Sequence, residues 1–375
     1  MRPMKPNFKI SFCTVCMNRL HHIKQTLPAN IADNEGYDNV EFVLLDYNST
    51  DGLEDYIKAE MQEFINAGKL IYFKTTTPQY FNRSHSRNLA CKLATGDIIC
   101  NIDADNFTGN SFAAYINHQF SSNANVFICV FDNPGHIHKT DVLGRICVKK
   151  TDFMAIKGYD ERMESYGFED YDLVNRLKMH GLKSLPFADD DDFFKTVKHQ
   201  NIDRLSNEFM INNLNSLLIN YITPASSEIV FLFKNKKFKQ GIVVDNKNFS
   251  FPDCLTDIKK SQIKYEYSLL EDEWLEGEWD SYGDGVRLYQ HSKPMQKLIY
   301  NHKLNRYTLQ TDDRTADFYT VTNNNLVQET VMFCSQIANR VLMYKNKHEA
   351  KAVVNHEFGK DVVYRNFDYD TALAI

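Results

Sequence analysis

Short apolar runs alternate with amphipathic stretches through the first 150 residues of the chain. Such runs predict buried strands, and apolar residues recurring every three or four positions predict helices. The predicted strands are Phe8–Cys16, Val40–Leu45, Leu70–Phe73, Ile98–Ile102 and Val126–Phe131, and the predicted helices span 18–33, 53–66 and 83–95. Strands that alternate with helices indicate an α/β fold with a mostly parallel sheet.

The pattern changes after about residue 215. Residues 229–244 alternate as in a hairpin, and 265–322 carry the Tyr, Trp, Gly and Asp-Gly punctuation that is typical of a β-rich meander. Residues 325–346 have the periodicity of one amphipathic helix. We therefore predict an α/β domain over 1–215 and a β-rich C-terminal extension over 216–375 that ends in a helix.

Composition narrows the class of protein. A length of 375 residues favours two domains, and a net charge of −6 argues against a nucleic-acid partner. Apolar runs stay well short of the roughly 18 residues that a transmembrane helix needs, so we expect no transmembrane segment. The eight cysteines are scattered and several fall in predicted core strands, which favours unpaired thiols in the cytoplasm.

Acidic residues follow two of the predicted strands, where parallel sheets bind ligands. Asp103 and Asp105 follow the strand 98–102 and, one residue apart, point the same way. Such a pair suits Mn²⁺ or Mg²⁺ bound together with the phosphates of a nucleotide. The same dipeptide spacing is also common in turns, so the pair alone leaves that alternative open.

Asp46 and Arg87 each allow two interpretations. Asp46 follows the second strand, where a carboxylate could accept the N3–H of a uracil or bind a ribose hydroxyl, but Asp46–Asp51 is also rich in helix-capping residues. Arg87 lies at the opening of the helix 83–95. Its guanidinium could bind a diphosphate or could form a salt bridge that holds the metal loop.

A second acidic pair, Glu169 and Asp170, lies in the first turn of a predicted helix. The helix macrodipole favours carboxylates there, and a carboxylate in that place could also act as a general base toward a hydroxyl. His199 lies 29 residues past Asp170, and its neutral imidazole could be a third ligand to Mn²⁺.

The order of these motifs resembles the inverting family 2 type glycosyltransferases of the GT-A fold. Asp46–Asp51 resembles the first nucleotide-binding turn of that family, Ser86–Ala90 its Ala-Arg-Asn element and Gly96–Asp105 its metal strand. Gly158–Leu173 is similar to the acceptor-site block of the β-1,4-galactosyltransferase and chondroitin-polymerase branch. The resemblance covers residues 8–210.

The resemblance implies a UDP-sugar donor, a hexose or N-acetylhexosamine that is transferred with inversion, and a glycan or lipid-linked glycan acceptor. It further implies surface polysaccharide synthesis at the cytoplasmic face of a membrane, with peripheral attachment of the enzyme left open. The implied roles are Asp170 as base, Glu169 and Tyr166 as acceptor-binding residues, Asp46, Arg87 and Asp103 as donor-binding residues, and Asp103, Asp105 and His199 as ligands of Mn²⁺ or Mg²⁺.

Four positions depart from the pattern of that branch. Tyr166 stands in place of Trp, Phe168 in place of Gly and Tyr171 in place of Asp. The first two of these departures put the acceptor in question, because their bulk lies against the sugar. Tyr47 replaces a second Asp and leaves Asp46 as the carboxylate for the base contact.

Two other functions compete with this interpretation. A non-catalytic glycan-binding subunit would use Trp274, Trp279 and Tyr282 as a stacking platform. A nucleotidyltransferase would need a glycine-rich loop after the first strand, and Met17–Leu20 contains no glycine.

Overall fold

The computed structural model of the chain describes residues 7–132, 142–198, 201–245, 267–269, 274–291, 293–311 and 314–375. These residues form two compact units. The first unit comprises residues 1–164, 168–201 and 349–375, and the second comprises 165–167 and 202–348.

The first unit alternates strands and helices, as predicted. Its strands are β1 (Ile10–Cys16), β2 (Val40–Tyr47), β3 (Leu70–Thr75), β4 (Ile98–Asn101), β5 (Val126–Cys129), β6 (Ile146–Lys149), β7 (Lys183–Leu185), β17 (Val362–Arg365) and β18 (Asp368–Ala374). Its helices are α1 (Leu20–Asp33), α2 (Leu53–Glu60), α3 (Gln62–Asn66), α4 (Arg83–Leu93), α5 (Phe112–Ser122), α6 (Lys150–Ala155) and α7 (Glu169–Met179).

These strands form one mixed sheet in the order β18-β17-β3-β2-β1-β4-β6-β5-β7. The strands β3, β2, β1 and β4 run parallel, so their carboxyl ends lie along one edge. All seven residues of β1 are buried, because helices cover both faces of the sheet and leave an apolar cluster on each side. The predicted α/β fold with a mostly parallel sheet is confirmed.

The predicted helix over 53–66 is two helices. The backbone leaves the helical region at Met61 (φ −119°, ψ 5°), and the Met61 side chain is buried in the core. Burial of this side chain accompanies the break between α2 and α3.

The second unit is an antiparallel β structure with one long helix. Its strands are β8 (Leu214–Thr223), β9 (Ser226–Phe233), β10 (Lys237–Asp245), β11 (Tyr267–Leu269), β12 (Leu275–Tyr282), β13 (Gly285–Gln290), β14 (Lys293–Asn301), β15 (Arg306–Gln310) and β16 (Thr315–Thr320). Its helices are α8 (Asn201–Leu205), which begins at the boundary, α9 (Phe209–Asn213) and α10 (Asn324–His348). The β-rich region with its helix is therefore as predicted.

The aromatic residues suggested as a stacking platform do not form one. The Trp279 indole is buried in the core of the second unit and donates a hydrogen bond from Nε1 to the Phe233 carbonyl at 2.9 Å. Trp274 packs against Phe231, with ring centroids 5.8 Å apart. Of the three aromatic residues only Tyr282 is exposed, which removes the main support for a glycan-binding subunit.

The domain boundaries differ from the prediction. The first unit gives way to the second at 201/202 rather than at 215, and residues 349–375 return to the first unit. The reason is a long-range strand pairing, in which β17 runs antiparallel to β3 with Tyr364 opposite Lys74. The hairpin β17–β18 thus extends the sheet beyond β3, and the predicted extension 216–375 is divided between the two units.

Among the residues that the structure describes, no helix combines the length and the apolar character needed to cross a bilayer.

The pairing of β17 with β3 predicts a contrast between two adjacent valines. Val363 is fully buried, so Val363→Ala should cost about 2 kcal/mol of stability through the lost burial and the cavity. Val362 is exposed, so Val362→Ala should stay within about 0.5 kcal/mol. Denaturant unfolding followed by a probe in the first unit measures both. Equal, small effects would show that the hairpin does not pack on the sheet in solution.

Candidate functional site

The guanidinium of Arg87 joins the two acidic motifs that the sequence singled out. Its Nη2 donates to Asp103 Oδ1 at 2.8 Å, and its Nη1 donates to Asp170 Oδ1 at 2.9 Å and to Glu169 Oε1 at 3.3 Å. Arg87 is itself buried, at 6% exposure. Of its two interpretations, this geometry supports the salt bridge that holds the metal loop.

Asp103 is fixed at the exit of β4 by its neighbours. Asn101 donates from Nδ2 both to Asp103 Oδ1 at 3.0 Å and to the Gly144 carbonyl at 2.9 Å. A Cβ on Gly144 would lie 2.5 Å from Asp103 Oδ2 and 2.7 Å from Arg87 Nη2. Only a glycine at residue 144 therefore lets the backbone approach this ion pair so closely.

Glu169 and Asp170 begin α7 directly after Phe168, whose backbone is left-handed (φ 68°). This sharp entry places both carboxylates in the first helical turn, where the macrodipole favours negative charge. Both side chains are largely buried. Among the described residues, none forms a hydrogen bond with Glu169 Oε2, so a buried acceptor atom is left for a ligand.

The two aspartates of this cluster have opposite pKa shifts. Burial, together with the charges of Glu169 and Asp103, raises the pKa of Asp170 to about 7 against the opposing attraction of Arg87. Burial also acts on Asp103, but the charge and hydrogen bond of Arg87 and the hydrogen bond of Asn101 outweigh it and lower the pKa of Asp103 below its usual value. Asp103 is thus held ionised, whereas Asp170 can exchange a proton near neutral pH.

Asp105 lies beside Asp103 on a loop that two segments hold in place. The Asp105 carbonyl accepts a hydrogen bond from the Val197 amide at 2.7 Å. The buried Arg145 donates from Nη2 to the Phe107 carbonyl at 2.6 Å and from Nη1 to the Phe193 carbonyl.

Val197 lies two residues before His199, which itself falls outside the described residues. The predicted metal ligand His199 therefore stays a prediction.

The carboxylate oxygens of Asp103 and Asp105 fit a hard divalent cation, which binds proteins through one or two carboxylates plus substrate phosphates. The Asp103 side chain keeps a quarter of its surface exposed, so a cation could reach it. Within the described part of the chain, no three His, Cys, Asp or Glu side chains are grouped as a complete metal site would require.

Asp46 does not lie where a nucleoside could touch it. Its side chain is fully buried and accepts hydrogen bonds from the Tyr72 hydroxyl and from the Ser49 amide, each at 2.6 Å. Burial raises the pKa of Asp46 although these bonds and Lys74 oppose it. The predicted donor contact is therefore corrected. The Asp46 carboxylate instead stabilises the loop after β2 through its hydrogen bond with the Ser49 amide.

The predicted acceptor residue Tyr166 belongs to the second unit. It packs against the apolar cluster of that unit that includes Phe231 and Val331, and the guanidinium of Arg204 lies 5.7 Å from the centroid of its ring. Tyr166 therefore belongs to a different unit from Glu169 and Asp170, although the three residues are close together in the sequence.

Three residues of the site escaped the sequence analysis. Gly144 and Asn101 position Asp103, and the buried ring of Tyr159 lies under Arg87 at 5.5 Å. Tyr159 lies inside the acceptor block, so its motif could have singled it out. For Gly144 and Asn101 the sequence has no signal, because their role depends on the pairing of β4 with β6.

Two family profiles match the N-terminal part of the chain. Residues 11–136 match "Glycosyl transferase family 2", and residues 127–216 match "N-terminal domain of galactosyltransferase". No curated protein matches the chain significantly.

Solved structures show distant similarity. The mannosyltransferase PcManGT from Pyrobaculum calidifontis, solved with GDP-Man and Mn²⁺, is 18% identical with a TM-score of 0.41, over 48% of this chain and 55% of that one. TarS 1–349 from S. aureus with UDP-GlcNAc is 16% identical with a TM-score of 0.40, over 54% and 61%. A Drosophila β-1,4-galactosyltransferase 7 mutant with manganese, UDP-Gal and xylobiose is 15% identical with a TM-score of 0.36, over 52% and 73%.

The matched region covers little more than half of the first of these structures. The two contiguous profile matches contain each of the motifs from Asp46 to Asp170, in the expected order. Over residues 11–216 the chain is therefore similar to the family 2 glycosyltransferases and, in the second part of this range, to the galactosyltransferases, and its α/β fold is of the GT-A type.

Proposed function

We propose that the protein transfers a hexose or N-acetylhexosamine from a UDP-sugar to a hydroxyl of a glycan or lipid-linked glycan, with inversion. The observation that carries this proposal is the shared guanidinium of Arg87. It holds Asp103, on the donor side, and Asp170, on the acceptor side, in one cluster at the carboxyl edge of the sheet. A displacement in a single step needs the donor and the acceptor held in the correct relative position.

Each residue has a distinct task in this proposal. Asp103 and Asp105, with His199, would hold Mn²⁺ or Mg²⁺ against the donor diphosphate. The bound cation would supply Lewis-acid stabilisation of the charge on the leaving UDP. Asp170 takes the proton of the acceptor hydroxyl, and Glu169 accepts a hydrogen bond from the acceptor through its unpartnered Oε2.

The geometry of Asp170 fits a single displacement. Its pKa of about 7 lets it accept a proton at neutral pH and release it afterwards. The buried salt bridge to Arg87 holds its Oδ1, so its Oδ2 is the oxygen that would accept the proton of the acceptor hydroxyl. We further propose surface polysaccharide synthesis at a cytoplasmic membrane face as the setting, which rests on the family resemblance.

A screen of UDP-sugars for Mn²⁺-dependent UDP release tests the function. The parent protein should release UDP from one donor and transfer its sugar to an acceptor glycan.

Asp170→Asn keeps the shape of the side chain but cannot take the proton, so transfer should fall by at least about 10²-fold. Calorimetric binding of UDP with Mn²⁺ should stay near the parental value. Transfer at the parental rate by the Asn variant would remove Asp170 from the role of base.

The raised pKa of Asp170 predicts the pH dependence of transfer. Because the base must be ionised, kcat/KM should fall about tenfold per pH unit below a pKa near 7 and level off above it. Saturating Mn²⁺ should move this limb to lower pH, because the cation offsets the charge of Asp103 that helps to raise the pKa. Initial rates at low donor concentration measure the limb. A flat profile through the neutral range would contradict the assignment.

The close approach of Gly144 predicts a sensitive backbone position. Gly144→Ala places a methyl group against both Asp103 and Arg87, so the ion pair must shift. We expect Mn²⁺-dependent UDP affinity and transfer each to fall by roughly tenfold or more, since a buried charge pair loses its geometry. Gly36→Ala is the matched control, because no atom of the described residues lies within 4 Å of its added Cβ. Parental metal affinity in a folded Gly144 variant would rule out this steric argument.

A further inference from the structure

The nucleoside end of the proposed donor site lacks the carboxylate that the sequence led us to expect. Asp46 is buried, and its two carboxylate oxygens accept hydrogen bonds from Tyr72 and Ser49. Tyr47 occupies the next position along β2. Neither residue of β2 therefore presents a carboxylate at the edge where parallel sheets bind ligands.

The hairpin β17–β18 brings another carboxylate to that edge. Because β17 runs antiparallel to β3, its first residue lies beside the carboxyl end of β3. Asp361 immediately precedes β17, and its Oδ2 accepts a hydrogen bond from the hydroxyl of Thr75, the last residue of β3, at 2.7 Å. Asp361 thus reaches the ligand edge although it lies 286 residues from Thr75 along the chain.

The hydrogen bonds of Asp361 orient its carboxylate and leave it with unused capacity. The Thr77 hydroxyl donates to Oδ1 at 2.7 Å and to Oδ2 at 2.9 Å, and the Val362 amide donates to Oδ1 at 2.8 Å. With Thr75 this makes three donor groups, whereas an ionised carboxylate offers about four lone-pair positions. Asp361 is half-buried, so its remaining capacity is open to a ligand.

Further contacts tie this part of the hairpin to the aromatic residues at the same edge. The His85 ring bonds the Tyr47 hydroxyl through Nδ1 at 2.7 Å and the Lys360 carbonyl through Nε2 at 3.0 Å. Phe81 contacts the Tyr47 ring edge-on, with centroids 5.9 Å apart. Tyr47 is buried and positions the His85 ring, whereas His85 is half-buried and keeps part of its ring surface open to a planar nucleobase beside the start of the hairpin.

The exit of β4 at Asp103 lies along the same edge of the sheet. Strands β3, β2, β1 and β4 are consecutive in the sheet, and three spacings of about 4.8 Å separate the carboxyl end of β3, which Asp361 contacts, from the exit of β4. A donor nucleotide that reaches from Asp361 to Asp103 would therefore have to span about 14 Å.

We propose that Asp361, delivered by the C-terminal hairpin, recognises the nucleobase of the donor by accepting the N3–H of uracil. This inference rests on the proposed function, since it assumes a uridine nucleotide at the carboxyl edge. It makes residues 349–375 part of the donor site, whereas the sequence placed them in the C-terminal extension.

Exchange of the carboxylate for an amide tests the proposal through base preference. A carboxylate accepts from the N3–H of uracil, whereas cytosine presents an acceptor at N3 and an amide can donate to it. In calorimetry with Mn²⁺, the parent protein should bind UDP at least about tenfold more tightly than CDP. In Asp361→Asn the UDP affinity should fall by roughly tenfold, and the ratio of UDP to CDP affinity should drop to near one or reverse.

Asp368→Asn is the matched control. Asp368 lies at the other end of the hairpin and accepts hydrogen bonds from the amides of Asp370 and Thr371, so its variant should keep the parental ratio.

Failure of the inference and failure of the proposed function would give different results. If Asp361→Asn weakens both nucleotides equally, Asp361 only holds the hairpin and the proposal is overturned, while the proposed function stands. If the parent protein binds neither nucleotide, the proposed function fails and the inference fails with it.

Discussion

One buried guanidinium is shared among three carboxylates, and the rest of the site depends on it. Arg87 bonds Asp103, Glu169 and Asp170, which belong to two separate stretches of the chain. A single positive charge cannot neutralise three negative ones, so the cluster keeps an excess of negative charge. Removal of Arg87 would leave these buried carboxylates uncompensated, which is among the most destabilising changes a protein core can undergo.

This excess of charge contributes to both chemical properties of the site. Burial is the main cause of the raised pKa of Asp170, and the negative charges of Glu169 and Asp103 add to it. In the proposed reaction the excess would also attract a divalent cation and the positive charge that develops on a sugar ring during transfer. Protonation of Asp170 and binding of a cation near Asp103 would therefore each reduce the negative charge of the same cluster.

The sequence predicted what depends on local pattern and missed what depends on distant pairing. The buried strands and the acidic turns at Asp103 and Asp170 follow from hydrophobic runs and chain order, and both were predicted. For Arg87 the sequence allowed two interpretations, because only the fold shows which charges surround it. Asp46 was placed wrongly, because burial beneath its loop depends on Tyr72 from the neighbouring strand.

The C-terminal hairpin is the clearest case of distant pairing. The Tyr72 amide donates to Asn366, which lies 294 residues away along the chain, and no local pattern predicts such a bond. Likewise, the glycan-binding alternative required Trp279 on a surface, whereas its indole is buried and donates to the carbonyl of Phe233 on another strand. In both cases the contact that fixes the residue comes from a part of the chain far from it in the sequence.

The return of residues 349–375 to the first sheet has a consequence for biosynthesis. A ribosome makes these residues after the whole second unit, so β3 must wait for its partner while the chain is still growing. During that interval β3 pairs with β2 on one side but leaves its other edge open, and such an edge can pair with another chain. The second unit, whose strands pair with one another, can complete its sheet earlier. The first unit, although its synthesis begins first, can thus complete its sheet only at the end.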